Sequence, residues 1–335
     1  MSMRRISLAV LLLLASASCG PPQSMLHPGG PAAHNLSTIA WAVFIILGGI
    51  AFIMWVLLAW VSVRHRGSLQ EHAPFNMGGG QSWIVVGGLI IPLIVLSGLF
   101  VFALDRMVDF PLNHGAVTPQ IQVIGHQFWW EVHYLDGDPS QQFTTANEIH
   151  IPVGKPIDLL LESADVIHAF WVPGLHGKMQ LLPGQPNYLR IEASEARTFI
   201  GQCAVYCGEQ HAHMRLMVVA QTPQEYALWR ENQLKPAAQP QSAEAMHGAD
   251  VFNNGACAIC HTVRGTVAQG KVAPDLTHIG SRQMIGANSF DNDTADLGGW
   301  ITAAQSMKPG CLMPNLTAFD GRDLRALIAY LQGLK

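Results

Sequence analysis

The sequence predicts a multidomain membrane protein: an N-terminal two-helix transmembrane hairpin, a β-sandwich and a C-terminal all-α domain. Three observations carry that prediction. Residues 38–63 and 82–104 form two long runs without a charged side chain, short β-rich runs crowd into 121–221, and helical periodicity returns after residue 244. At 335 residues the chain exceeds the roughly 100 to 200 residues of one ordinary domain, so two or three units are expected. Its 13% charged content compares with about 25% in soluble proteins, which places part of the chain in lipid. A net charge of −4, with no Lys/Arg cluster to neutralise phosphates, argues against nucleic acid as a partner.

Residues 1–19 read as an export signal peptide: Arg4 and Arg5 open it, 6–14 are apolar, and small residues precede Cys19. Cys19 is a candidate for lipidation of the lipoprotein type, with cleavage after Ala17 or an uncleaved helix as the alternatives. The hairpin occupies 36–106, with its helices at 38–63 and 82–104. Each run is long enough to cross about 30 Å of hydrocarbon at about 1.5 Å per residue. Arg64 and Arg66 put the connecting loop in the cytoplasm by the positive-inside rule, so everything after Leu104 lies outside.

The β domain is expected over 107–222. Runs at 121–124, 128–134, 148–152, 157–162, 188–191, 198–200 and 216–220, broken by turn residues, have the spacing of a sandwich of about 100 residues. Between 105 and 222 there are 12 Asp/Glu against 6 Lys/Arg. Such a field steers a basic partner, although a solvated acidic face has the same composition. Residues 223–243, rich in Glu, Gln, Ala and Pro, read as a short helix and a linker. Over 244–335, periodic runs at 245–253, 297–305 and 321–334 predict a small helical domain, the last run aligning Leu324, Leu327, Ile328 and Leu331.

The densest chemistry is Cys203-Ala-Val-Tyr-Cys207-Gly-Glu-Gln-His211-Ala-His-Met214, with His168 upstream in Asp165-Val-Ile-His-Ala-Phe-Trp. Two thiolates, two imidazoles and a thioether are soft to borderline donors that suit copper rather than magnesium or calcium. Two cysteines three residues apart in one loop can bridge a pair of coppers that share an unpaired electron. A redox dithiol or a zinc site is the alternative for a Cys-x3-Cys taken alone, but two Cys, a His and a Met together in twelve positions, with a second His upstream, favour copper.

Cys257-Ala-Ile-Cys260-His261 is the signature of covalently attached haem c, in which both thiols become thioethers and the histidine binds iron from one side. Half a zinc site or a redox pair is the competing meaning of the two cysteines. A methionine on the far side raises the reduction potential. Met313, in Lys308-Pro-Gly-Cys-Leu-Met-Pro314, is the preferred candidate, with Met307, Met284 and His278 as rivals and Cys311 as a small filler.

The Cys-x3-Cys-x3-His-x2-Met run, the segment around His168 and the aromatic stretch Gly125-His-Gln-Phe-Trp-Trp-Glu-Val-His-Tyr134 resemble subunit II of cytochrome c oxidase over nearly the whole chain. The resemblance implies a cupredoxin-like β-sandwich in which His168, Cys203, Cys207, His211 and Met214 bind binuclear copper and Val205 lends its backbone carbonyl. It also implies a C-terminal class I cytochrome c with one covalent haem on Cys257 and Cys260, and His261 and Met313 as axial ligands. The implied function is electron entry into a haem–copper terminal oxidase: from a periplasmic donor such as a soluble cytochrome c, through haem c and two copper ions, to haem a in subunit I, where oxygen becomes water. Subunit I, the other oxidase subunits and membrane lipid are the implied partners, and a bacterial inner membrane is the implied location, with both soluble domains on the periplasmic side. The electron-input subunit of a nitric oxide reductase and a copper chaperone of thioredoxin-like fold are the alternatives.

This sequence departs from that family at several points. Val205 stands where many relatives have Glu, and Gln180 where they have Asp, so no magnesium site is expected. Phe128 replaces the first Trp of the aromatic stretch, the electron-entry residue in relatives. Nothing acidic lies between His72 and Leu104, where relatives often carry a proton-feeding Glu. A tethered haem would replace diffusional encounter with a high effective concentration set by about twenty linker residues.

Overall fold

The computed structural model describes residues 23–64, 80–108 and 118–335. The export signal, Cys19 and Arg66 lie outside the described residues. The chain divides into a helical unit, His34–Phe110, and a second unit that holds the rest.

Helix α1 spans Pro31–Arg64, with Pro31 in its first turn where a missing N–H costs nothing. The next helical run covers α2 (Gly80–Val85), a π-helical turn (Val86–Ile90) and α3 (Ile91–Val108). The widened turn has a local cause: the Pro92 ring cannot sit over the carbonyl four residues back, and two glycines there let the backbone expand. Near the start of α1, Asn35 donates to the Arg106 carbonyl near the end of α3. Both helical runs are apolar on every side, exposing Trp55 and Trp83 at 74% and 81%, a surface that belongs in hydrocarbon rather than water. Pro31–Arg64 and Gly80–Met107, of 34 and 28 residues, are long and apolar enough to cross a membrane.

Ten strands between 121 and 221 build a two-sheet sandwich: β1 (Ile121–His126), β2 (Trp129–Tyr134), β3 (Phe143–Ala146), β4 (Glu148–Pro152), β5 (Ile157–Ser163), β6 (His168–Trp171), β7 (Met179–Leu181), β8 (Asn187–Ile191), β9 (Thr198–Cys203) and β10 (Arg215–Gln221). The sheet orders are β3-β2-β1-β5-β8 and β4-β10-β9-β6-β7. Strict alternation in β1 and β2 turns Val123, Trp130 and Val132 into the core, where they meet Ile149, Leu159 and Phe170. The alternating strand and helix order of a thioredoxin-like chaperone is not found among the described residues here.

Helix α4 (Pro223–Leu234) starts at a capping box in which Thr222 and Glu225 satisfy each other's backbone N–H. Its Trp229 ring lies 4.0 Å from the His150 ring and packs on Tyr134, so the helix belongs to the sandwich. The residues that follow are also held: the Ala237 amide donates to the Arg264 carbonyl, and Arg264 reaches back to the Gln233 carbonyl.

The C-terminal domain comprises α5 (Ala243–Asn254), α6 (Cys257–Cys260), a small hairpin β11 (Met284–Ile285) with β12 (Phe290–Asp291), α7 (Thr294–Met307) and α8 (Gly321–Gly333). Phe252, Leu327 and Leu331 fill the core where α5 crosses α8. The crossing depends on Gly248, because a Cβ there would stand 1.9 Å from the Ala326 carbonyl oxygen. Gly248→Val is therefore expected to destabilise this domain by at least about 2 kcal/mol, seen as a lowered melting transition, while the sandwich keeps its own.

Candidate metal and haem sites

Ladder register assembles the first site. Strands β9 and β10 pair antiparallel with Gln202 opposite Arg215, so the loop between them leaves and re-enters one hairpin. On the other side β9 pairs with β6, Phe170 opposite Cys203, which brings His168 beside that loop. The sulfurs of Cys203 and Cys207 lie 3.8 Å apart. His168 Nδ1 is 3.9 Å from the first, and His211 Nδ1 and Met214 Sδ are 3.7 and 3.8 Å from the second. The Val205 carbonyl oxygen is 3.2 Å from Cys203 Sγ. All six sequence-predicted donors therefore converge, and four of the residues, His168, Cys203, Cys207 and Met214, are buried.

The electrostatics are those of a cation site. The contact between the two buried sulfurs holds the Cys203 thiol far below its ordinary value and pushes the Cys207 thiol up. Donor atoms of His168, Cys203 and Cys207 lie within 4.8 Å of one another, so soft donors face each other and a thiophilic metal fits between them. Behind them, His168 Nε2 bonds Asp165 Oδ1 at 2.7 Å, which turns Nδ1 toward the sulfurs. Burial pushes the Asp165 carboxyl up, but bonds from His168 and from the Val166 and Gln127 amides outweigh it and hold the group below its usual range. Gly208 takes φ +132°, a left-handed conformation that glycine adopts readily, and its bare Cα leaves room for the Phe128 ring against the loop.

The second site is an apolar pocket in the C-terminal domain, lined by Cys257, Cys260, His261, Ile301 and Met313. His261 Nδ1 donates to the Pro274 carbonyl at 2.7 Å, and burial pulls the imidazole below its ordinary value, leaving Nε2 a free lone pair. Among the rivals, Met284 also lines the pocket, whereas Met307 and His278 do not; His278 instead bonds the Lys235 carbonyl. Gln305, not singled out in the sequence, donates to the carbonyls of Cys311 and Met313 at 2.5 and 2.7 Å and so shapes the loop that presents Met313. Arg282 also faces the pocket, and its Nε has no hydrogen-bond partner among the described residues. A flat apolar group carrying carboxylates, which haem is, fits such a pocket.

The wall that completes this pocket comes from the sandwich: Gln127, Phe128 and Trp129. Gln127 Nε2 also donates to the Cys207 carbonyl at 2.6 Å. Lys308, buried at the same seam, has its ammonium pulled down to about 8 by burial, with Cys311 and Cys207 acting against that pull.

Residues 135–221 match the family model described as cytochrome c oxidase subunit II, periplasmic domain, and residues 245–335 match that of cytochrome c. Cytochrome c oxidase subunit 2 of Alkalihalophilus pseudofirmus is 32% identical over 342 residues, covering 99% of this chain and 97% of that protein. The protein of the same name from Bacillus subtilis is 25% identical over 355 residues, covering 99% and 98%. The crystal structure of the periplasmic domain of subunit II of cytochrome oxidase from Bradyrhizobium japonicum aligns with 30% identity and a TM-score of 0.32, over 34% of this chain and 91% of that one.

The geometry around His168 gives a direct test. A Cβ on Gly125 would stand 2.7 Å from His168 Cδ2, and the ring is pinned between Asp165 and Cys203. Gly125→Ala is expected to displace the imidazole and weaken copper binding by about 10–100-fold, measured by titration with copper, without loss of the sandwich's circular dichroism.

Proposed function

Because this chain belongs to the cytochrome c oxidase subunit II family, we propose that it is the electron-entry subunit of a haem–copper terminal oxidase. It takes electrons from a periplasmic donor such as a soluble cytochrome c and passes them by way of haem c and copper to haem a of subunit I, where oxygen is reduced to water. His168, Cys203, Cys207, His211, Met214 and the Val205 carbonyl would hold two copper ions. Cys257 and Cys260 would carry one haem covalently, with His261 and Met313 as its axial ligands. When bound, these groups supply one-electron redox chemistry. The two long apolar helices fit an inner-membrane protein, with both soluble domains on the periplasmic side.

The observation that carries this reading is the shared wall between the sites. Gln127 and Phe128 line the haem pocket, while Gln127 bonds the Cys207 carbonyl and the Phe128 ring packs against Gly208. Each of the other residues has a definite task. Asp165 fixes the His168 ring, Pro274 fixes that of His261, and Gln305 fixes the Met313 loop. Burial of Cys203, Cys207 and Met214 keeps water from the sulfurs, so little has to rearrange when charge arrives or leaves.

Two measurements on the purified complex test the reading. Metal analysis is expected to give two coppers in this subunit, with a paramagnetic resonance pattern of one electron shared by both; a signal from a single isolated copper overturns the binuclear assignment. Met313→Ala is expected to abolish the weak red-edge absorption of sulfur–iron charge transfer and to lower the haem reduction potential. Survival of that band would move the axial role to Met284.

A further inference from the structure

The C-terminal domain does not hang free on its linker; it is bonded along one seam to the sandwich. The Gln283 amide donates to Glu148 Oε1 at 2.8 Å, the Arg215 amide to the Ala287 carbonyl at 3.2 Å, and Asn288 Nδ2 to the Asn147 carbonyl at 3.0 Å. Gly310, at φ +77°, lies so close to the copper loop that a Cβ there would stand 2.6 Å from Glu209 Oε2.

At the centre of this seam is Lys308, which ends α7 and is 3% exposed. Its Nζ lies 2.9 Å from each of three carbonyl oxygens, those of Phe128, His213 and Gly286. An ammonium has three N–H donors, and all three are used. Gly286 belongs to the haem-binding domain's own hairpin. Phe128 belongs to the wall that separates the two sites, and His213 directly precedes the copper-ligand candidate Met214.

We propose that Lys308 is a positioning residue that locks the haem-binding domain onto the copper-binding domain in one orientation, so that transfer between them does not wait on movement of the linker. The proposal rests on the electron-entry reading for its purpose, but on the seam alone for its geometry. Burying an ammonium is costly and adds little net stability. Its best-attested use is to specify one arrangement, because a shifted domain would strand the charge without acceptors. Loss of the side chain leaves three buried carbonyls at the seam without their donor. The transfer rate then scales with the fraction of time the domains spend docked.

The test compares the assembled, haem- and copper-loaded oxidase carrying either the native chain or Lys308→Met. Hydrogen exchange is followed at the amides of Arg215 and Gln283, which donate across the seam, and at Val218 and Leu327, inside the two domains. In the native chain the seam amides are expected to exchange slowly. In Lys308→Met their protection falls by about tenfold or more, Val218 and Leu327 keep theirs, and haem-to-copper transfer after flash reduction slows by a similar factor. Fast exchange of the seam amides in the native chain overturns the proposal, as does a variant with native seam protection or a native transfer rate. Loss of protection at Val218 or Leu327 would make Lys308 a folding residue and overturns it too. Exchange is read without donor or oxygen, so failure of the electron-entry reading, visible in metal content and turnover, is distinguishable from failure of this one.

Discussion

Two buried cysteine sulfurs held 3.8 Å apart set the constraint that the sandwich has to satisfy. Two thiolates so close repel each other strongly unless a cation lies between them. The loop must therefore be held open by forces other than its own preference. Those forces are the ladders on either side: β10 fixes where the loop returns, and β6 fixes where His168 stands. A slip of one residue in β6 would turn His168 to the opposite face of its sheet and point Ala169 at the sulfurs. The core under the ligands thus does more than stabilise, because Trp130, whose ring stands 6.0 Å from that of His168, backs the imidazole against which the sulfurs are set.

The haem-binding domain solves a different problem with different materials. Each domain has its own apolar core, and the seam between them is mostly polar. Polar seams contribute little net free energy, since each bond replaces one with water, but they tolerate few alternative registers. Helix α4 and the segment after it add to this restriction. A linker bonded at Gln233, Lys235 and Ala237 removes most of the freedom that a flexible tether of the same length would have. Proximity here comes from docking more than from effective concentration.

The seven β-rich runs and the helical domain were legible because alternation and 3.6-residue periodicity are local signals. Strands β3, β6 and β7 were not: they have four, four and three residues, and three successive residues of β6 are buried, which erases the alternation. Most ligand candidates were legible because donors cluster at 203–214 and 257–261, whereas His168 and Met313 stand far from those clusters and were reached through the segments around them. The residues that orient them were only partly so. Asp165 sits three residues before His168, a spacing that invites the pairing. Arg282 and Lys308 act across the fold, on partners 137 and 180 positions away, and Gln305 acts through a loop whose shape only the fold sets. The short helix expected at the head of 223–243 is α4, and what its composition does not show is that Tyr226 and Trp229, three apart on one helical face, fasten it to the sandwich.

The substitution at Phe128 takes on a meaning in this arrangement that the sequence alone does not supply. An aromatic residue that receives electrons from a diffusing partner has to present its ring at the surface. Phe128 is 6% exposed and forms part of the haem pocket's wall, while its ring packs against the copper loop over Gly208. Its surroundings are therefore set by two packed domains, and a ring without a polar edge suits them, since an indole N–H placed there would need its own acceptor. On the electron-entry reading, a donor from outside meets the haem-binding domain before it can approach Phe128. On that reading a fixed internal junction stands where an exposed landing ring would be, and the physical demand on residue 128 is packing between domains.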